Sequence, residues 1–173
     1  QEIHKLVDEM NSVGARFSFS KDLVLKAGLM LADIGSVGFK VENFNHENME
    51  VLESKWKMIR NALVLSTRLL SNFGFNGQVL RADSAILPIA YYLHSRGFTE
   101  SYLTDSTHLQ DRLTIRRWLV KTLLKASGIW GSGLDTFLGR LREVLKTHGG
   151  QGFPLEEIRA EMTKSGKSIN FEN

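Results

Sequence analysis

The chain has 173 residues, 42% of them hydrophobic and 24% charged, with a formal net charge of +3. This length suits one domain with a sizeable core, and this composition excludes wholesale disorder. The chain has no cysteine, which excludes disulfides and thiolate metal sites, and no apolar run approaches the ~20 residues of a transmembrane helix. We therefore expect a reducing, cytoplasmic location and no membrane partner. Because the chain begins with Gln1 and a helical pattern is already under way at Ile3, we expect a fragment of a longer protein.

Apolar residues recur every three or four positions along most of the chain, which predicts helices. Capping residues such as Ser20, which is expected to cap the second helix, together with glycines and Pro154, suggest where these helices begin and end. Pro88 is compatible with the fourth helix because it falls in the first turn if that helix begins close to Ser84. The fold class predicted for residues 1–173 is therefore a single, compact all-α domain of about seven helices. The expected helices cover about residues 3–14, 21–34, 43–72, 84–95, 106–126, 132–146 and a short segment that starts at 154.

Two short runs depart from the helical period. Phe17 with Phe19, and Phe39 with Val41, alternate with a period of two, which is typical of strands. We therefore allow for one minor β pairing in an otherwise helical domain.

Positive charge is concentrated in one region of the chain. Residues 104–147 carry eight Lys or Arg against four acidic residues, whereas charges nearly cancel elsewhere. The segment from Arg112 to Lys125 has five basic residues and no acidic one, and lies inside the fifth predicted helix. A local excess of this kind is typical of a binding face.

A helical projection divides these five basic residues into two groups. Arg117, Lys121 and Lys125 follow one another at four-residue intervals and form a polar stripe, which makes them candidates for contact with nucleic-acid phosphates. An ordinary solvated face is an equally good interpretation of this stripe.

Arg112 and Arg116 project toward the apolar side of the same helix. That side is expected to face the core, and it carries Leu109, Leu113, Val120, Leu123 and Leu124. A buried guanidinium must be paired and hydrogen-bonded. We therefore expect a carboxylate from another helix beside Arg116, or a cleft in which Arg116 meets a ligand.

The segment Gly128–Gly133, with the sequence GIWGSG, precedes the sixth predicted helix. Glycine-rich turns before helices can present backbone N–H groups to phosphate, so Trp130, Gly131, Ser132 and Gly133 are candidates for an interaction or phosphate loop. No strand is predicted before this segment, and a flexible link anchored by Trp130 is the simpler interpretation.

No catalytic motif or metal-ligand motif is evident in the sequence. The five histidines are scattered, without an H-x-x-x-H pair, and neither a P-loop nor a serine elbow is present. We therefore name no catalytic residue, no metal ligand and no cofactor for this fragment.

Several segments together resemble the helical region of GmrSD-type proteins, which are modification-dependent restriction endonucleases and their relatives. The resemblance extends over nearly the whole chain. The segments that carry it are Phe39–Phe44, Leu70–Phe75, Ala85–Leu93, Ile115–Leu124, Ser132–Leu138 and Phe153–Ile158.

The resemblance implies that nuclease chemistry belongs to domains outside this chain. In that family the chemistry is attributed to an N-terminal ParB/sulfiredoxin-like domain with I-P-x-Y-Q-R and D-G-Q-Q-R segments, and many relatives carry a downstream H-N-H domain. Neither segment occurs in this sequence, and the H-N-H domain is also absent. Missing N-terminal and C-terminal domains of the same protein are therefore implied partners, together with DNA.

We accordingly predict a non-catalytic helical module of a GmrSD-like defence nuclease that supports or contacts DNA through its basic helix. The alternative is a protein-interaction or interdomain scaffold without nucleic-acid contact, in which the same face docks an acidic partner. An autonomous enzyme would require a cleft with converging carboxylates or histidines. The sequence does not indicate an oligomeric state.

Overall fold

The computed structural model describes residues 2–169, and over these residues the chain forms nine α-helices and no β-strand. The all-α class is therefore confirmed, while residues 1 and 170–173 of the predicted domain lie outside the described residues. The helices are α1 (Glu2–Asn11), α2 (Lys21–Leu31), α3 (His46–Ser54), α4 (Trp56–Asn72), α5 (Ile86–Ser95), α6 (Leu109–Leu124), α7 (Ala126–Trp130), α8 (Leu134–His148) and α9 (Leu155–Lys164).

Two helices beyond the predicted seven arise from local breaks in the pattern. The long helix expected over residues 43–72 is divided at Lys55, whose backbone angles (φ −103°, ψ 5°) lie outside the helical range and separate α3 from α4. No glycine or proline marks this break, so the pattern did not predict it. The additional short helix α7 includes the first half of the GIWGSG segment, which had been expected to be a link.

The β pairing is absent from the described residues, and the side chain of Asn11 shows why. Its amide accepts a hydrogen bond from the Phe19 N–H (2.8 Å) and donates one to the Phe19 carbonyl (3.0 Å). The extended segment therefore pairs with a side chain and not with a second strand. Phe17 and Phe19 stack on each other, with ring centroids 5.2 Å apart, while Val41 begins a short 3₁₀ turn on the surface.

Helix α5 lies at the centre of the domain. Its residues from Ile86 to Leu93 are all buried, and it packs against α2, α4 and α8. Pro88 is tolerated because it lies in the first turn of α5, where backbone N–H groups have no intrahelical partner. The buried apolar side chains of α5 and of the helices around it therefore form the main part of the hydrophobic core.

A cluster of aromatic side chains joins α6 to the C-terminal helices. The Trp118 ring is fully buried and lies edge-on to Trp130, with centroids 5.8 Å apart, and 5.3 Å from the ring of Phe153. Its indole N–H points to the sulfur of Met162 at 3.4 Å. These contacts determine which side of α6 faces inward. None of the described helices combines the length and the apolar character needed to cross a lipid bilayer.

Candidate interaction surface on α6

Helix α6 presents an inner face to the core that differs from the expected one. The inner residues are all buried, and they are Ile115, Trp118, Leu119, Thr122 and Leu123. Of the five apolar residues expected to face inward, only Leu123 does so. The other four are exposed, with exposed fractions of 45% for Leu109, 41% for Leu113, 40% for Val120 and 71% for Leu124.

The expected orientation was wrong because α6 has apolar residues on two sides. The projection favoured the side with more leucines, whereas the fold buries the side with Trp118. An indole ring removes far more apolar surface from water than a leucine does, and Trp118 meets the rings of Trp130 and Phe153. The leucine-rich side consequently lies outward.

Arg116 is exposed, so its expected burial was wrong, whereas the alternative of a cleft in which Arg116 meets a ligand stays a prediction. Among residues 2–169 Arg116 has neither an ion pair nor a hydrogen bond, and it borders a surface groove between α4 and α6. Arg112 is half-buried, and its Nη1 donates to the backbone carbonyls of Tyr102 (2.7 Å) and Asp105 (2.8 Å). Arg112 is thus satisfied by backbone carbonyls, whereas Arg116 has no carboxylate partner among the described residues.

The three residues of the predicted phosphate stripe lie beside the exposed apolar residues. Arg117 is exposed, Lys121 is half-buried, and Lys125 is exposed just after the last residue of α6. Neither Arg117 nor Lys121 has an ion pair or hydrogen-bond partner in the described part of the chain. Both side chains are thus available for contact with another molecule.

We define the outer face of α6 as the exposed apolar residues together with the basic residues beside them. Its members are Leu109, Leu113, Arg116, Arg117, Val120, Lys121 and Leu124. Asp111, the one acidic residue within α6, is not part of this face. The outer face therefore combines four apolar residues with three basic ones, and α6 itself provides no acidic compensation.

Asp111 instead anchors α6 to the core. Its Oδ2 accepts hydrogen bonds from the hydroxyls of Tyr92 (2.7 Å) and Tyr102 (2.8 Å), and its Oδ1 accepts one from the Phe153 N–H (2.8 Å). Burial, and then the interaction with Asp111, raise the pKa of both tyrosines well above the usual value. Arg96 donates to the Tyr92 hydroxyl (2.9 Å) and completes the network. The first turn of α6 is thereby held in one position.

Two surface grooves lie at the ends of the outer face. One, of about 250 Å³, lies at the N-terminal end and is bordered by Phe73, Leu103, Leu113 and Arg116. The other, of about 510 Å³, lies at the C-terminal end, where Arg81, Ser84, Leu124 and Trp130 contribute to it. The outer face therefore continues into concave surface at both ends.

The GIWGSG segment directs carbonyl groups toward a buried cation. The Lys167 ammonium donates to the carbonyls of Ile129 (2.7 Å), Ser132 (2.9 Å) and Gly128 (3.4 Å). Burial lowers the pKa of Lys167. Carbonyl oxygens present negative partial charge, so the contacts observed here suit a cation. Phosphate binding by the backbone N–H groups of this segment stays a prediction.

The other loop candidates have structural positions. Trp130 is buried between Trp118 and Phe137, and its Nε1 has no hydrogen-bond partner among the described residues. Gly133 adopts a left-handed conformation (φ 67°) just before α8, which glycine adopts without steric cost. Gly131 is closely approached by the Ser127 carbonyl, so a Cβ at this position would clash. Trp130 is accordingly a core anchor and not an exposed one.

One buried cation, Arg142, was missed by the sequence analysis. Its Nη1 donates to the carbonyl of Ile34 (2.7 Å), just after α2, and more weakly to that of Met30 (3.3 Å), in the last turn of α2. The signal was present in the sequence, because Arg142 follows Leu138 by one turn and precedes Leu145 by three residues on the apolar side of α8. The projection applied to α6 would have found it.

No group of three His, Asp or Glu side chains within residues 2–169 is arranged to hold a metal ion. No protein-family model matches the chain, and no curated protein matches it in sequence. The outer face of α6 is therefore the candidate functional site.

Proposed function

We propose that this domain is a protein-interaction module that docks a partner through the outer face of α6. The observation that carries the proposal is the combination of four exposed apolar residues with Arg116, Arg117 and Lys121 on one side of a firmly anchored helix. Four of the eight large hydrophobic residues found exposed in the described chain lie on this one helix. Scattered exposed leucines are ordinary, but several exposed apolar residues grouped on one side of a helix are typical of an interaction site.

The composition of the outer face favours a protein partner over a phosphate backbone. Protein interfaces combine an apolar centre with a polar rim and are enriched in arginine. Phosphate binding depends on positive charge, to which Leu113, Val120 and Leu124 contribute nothing. Completing the burial of one such side chain in an interface would contribute roughly 1 kcal/mol to the free energy of binding. The apolar row therefore has a clear energetic role only with an apolar partner surface.

The second candidate function is the DNA-supporting module of a GmrSD-like nuclease. What favours it is the absence of a described ion-pair partner for Arg117 and Lys121, together with the segments that resemble this family. In that arrangement the two side chains would neutralise phosphates while other domains recognise or cut the DNA. This candidate gives no role to the exposed leucines.

Site-specific crosslinking can test the docking proposal. A photo-crosslinking amino acid is placed at Val120, on the outer face, in the longest natural form of the protein in its native cells. Met58, which is 54% exposed on α4, serves as the matched control position. We expect one recurrent protein or domain to be crosslinked from Val120, not from Met58, and to be lost when Arg116→Glu and Arg117→Glu are added.

Two results would contradict the docking proposal. The first is the same set of products from Val120 and Met58. The second is crosslinking of Val120 to DNA, combined with duplex binding that falls steeply between ~50 mM and ~200 mM salt. The second result would instead support the DNA-supporting module.

A further inference from the structure

The outer face of α6 has the spacing of a coiled-coil seam. Leu109, Leu113, Arg116 and Val120 follow one another at intervals of four, three and four residues. This alternation is the heptad pattern, in which the first and fourth positions of each heptad meet a partner helix. Leu113 and Val120 take the first position, and Leu109 and Arg116 take the fourth. The next fourth position is Leu123, which is buried, so the seam runs from Leu109 to Val120. Helix α6 therefore offers a surface spaced for a second helix over this length.

The length of the exposed apolar row determines the length of a matching partner. Leu109 and Leu124 are separated by fifteen positions along α6, which corresponds to about 22 Å at 1.5 Å per residue. A partner helix of about four turns would cover this row completely. The groove beside Leu113 and Arg116 leaves room at one end for its side chains.

The charges beside the seam determine the chemistry of the partner. Arg116 lies within the seam, and Arg117 follows it at a flanking position, where charged residues of coiled coils select the partner. Neither has an ion pair with a described residue. An uncompensated guanidinium that becomes buried in an interface requires a carboxylate. A partner with glutamate or aspartate opposite these two residues supplies it.

The outer face of a second copy does not meet that requirement. Two outer faces brought together would oppose Arg116 and Arg117 with the same residues, and like charges that meet at an interface are strongly unfavourable. The occupant must therefore be a different surface.

We propose that the occupant of the outer face is an acidic amphipathic helix of another protein or domain, lying along α6 with its apolar seam on Leu109, Leu113 and Val120. Its carboxylates pair with Arg116 and Arg117. The inference rests on the proposed docking function and specifies the partner of that surface. It is a form of helix-in-groove recognition, in which apolar anchors provide affinity and charges provide selectivity.

Three synthetic peptides of about 21 residues, or three heptads, test the inference on this chain. The first has leucine at the seam and glutamate at the flanking positions. The second replaces every glutamate with lysine, and the third keeps the glutamates but replaces the seam leucines with serine. Binding is measured by fluorescence anisotropy, and the bound surface is located by amide chemical-shift changes.

We expect the leucine–glutamate peptide to bind along α6 at least about tenfold more tightly than either of the others, a difference of about 1.4 kcal/mol. The chain with Arg116→Glu and Arg117→Glu should prefer the leucine–lysine peptide. A variant that has merely lost its fold could not show this exchange of preference. The matched control, Lys40→Glu with Lys57→Glu, makes the same change in net charge at two exposed positions away from α6 and should keep the original preference.

The outcomes separate the inference from the docking function on which it rests. Equal binding of the glutamate and lysine peptides, lost in a Leu113→Ser and Val120→Ser variant, would overturn the acidic partner but leave docking through this face intact. Binding of none of the peptides, while Val120 still crosslinks to a protein, would overturn the helical partner alone. Binding of none of the peptides together with no crosslink from Val120 would overturn both.

Discussion

The Tyr92 hydroxyl donates a hydrogen bond to Oδ2 of Asp111 at 2.7 Å, which joins the central helix α5 to the first turn of α6. The Tyr102 hydroxyl donates to the same oxygen at 2.8 Å, and the Phe153 N–H donates to Oδ1. One carboxylate thus connects three separate parts of the chain. Because the outer face belongs to α6, its position in the domain depends on this carboxylate.

Replacement of Asp111 by Asn tests this anchoring role. The substitution replaces two charge-assisted hydrogen bonds by weaker ones, and only one amide oxygen remains to accept from three donors. We expect the free energy of unfolding in urea to fall by about 2–3 kcal/mol. Asp8→Asn is the matched control. Because Asp8 is exposed on α1, its substitution should change the free energy of unfolding by less than about 0.5 kcal/mol. Equal stability of the two variants would refute the anchoring role.

The three tyrosines predict a loss of stability at alkaline pH. Burial, and then a hydrogen bond to Asp33, raise the pKa of Tyr91 well above its usual value near 10, while Tyr92 and Tyr102 are raised by burial and by Asp111. At a pH below about 10, all three tyrosines are neutral in the folded and in the unfolded chain, and their contribution to stability is complete. Above that pH the unfolded chain releases protons that the folded chain retains. The free energy of unfolding therefore falls as pH rises, by up to about 4 kcal/mol per pH unit for three protons.

Urea unfolding between about pH 9 and about pH 12 measures this slope. The Tyr91→Phe variant removes one of the three titrating groups, so its slope should be about one third smaller. A slope identical to that of the parent chain would show that Tyr91 does not retain its proton in the folded state. The comparison of slopes also cancels contributions from lysines, which are the same in both chains.

A pair of leucine substitutions tests the orientation of α6. Leu119 is fully buried, so Leu119→Ala should lower the free energy of unfolding by about 2–5 kcal/mol through lost burial and a new cavity. Leu124 is 71% exposed, so Leu124→Ala should change it by less than about 0.5 kcal/mol. Thermal or urea unfolding distinguishes the two. A large loss in Leu124→Ala would mean that the leucine-rich side faces the core, as the projection suggested.

Local sequence signals located most helix ends correctly. Ser20 was expected to cap the second helix, and its hydroxyl accepts a hydrogen bond from the Leu23 N–H at 3.1 Å. Pro88 was accepted inside a helix because it falls in the first turn, and α5 includes it there. These features depend on residues a few positions apart. They can therefore be inferred without knowledge of the rest of the fold.

The orientation of α6 could not be inferred in this way. Both sides of the helix carry apolar residues at helical spacing, so periodicity alone allowed either to face inward. The choice depended on Trp118 meeting Trp130 and Phe153, which lie 12 and 35 residues further along the chain. Arg116 consequently faces solvent, and the proposed interaction surface lies on the side of α6 that had been expected to face the core.

The amino-acid sequence by itself determined that this protein is an all-α domain with its excess positive charge on one helix. Composition, periodicity and capping are local properties, and they are sufficient for that conclusion. Tertiary structure alone decided which charges are buried and which face solvent. Arg142 and Lys167 are stabilised by carbonyls from distant segments, whereas Arg116 and Arg117 have no ion pair among the described residues. The burial of a charge depends on the partners that the whole fold brings to it, and those partners are distant in sequence.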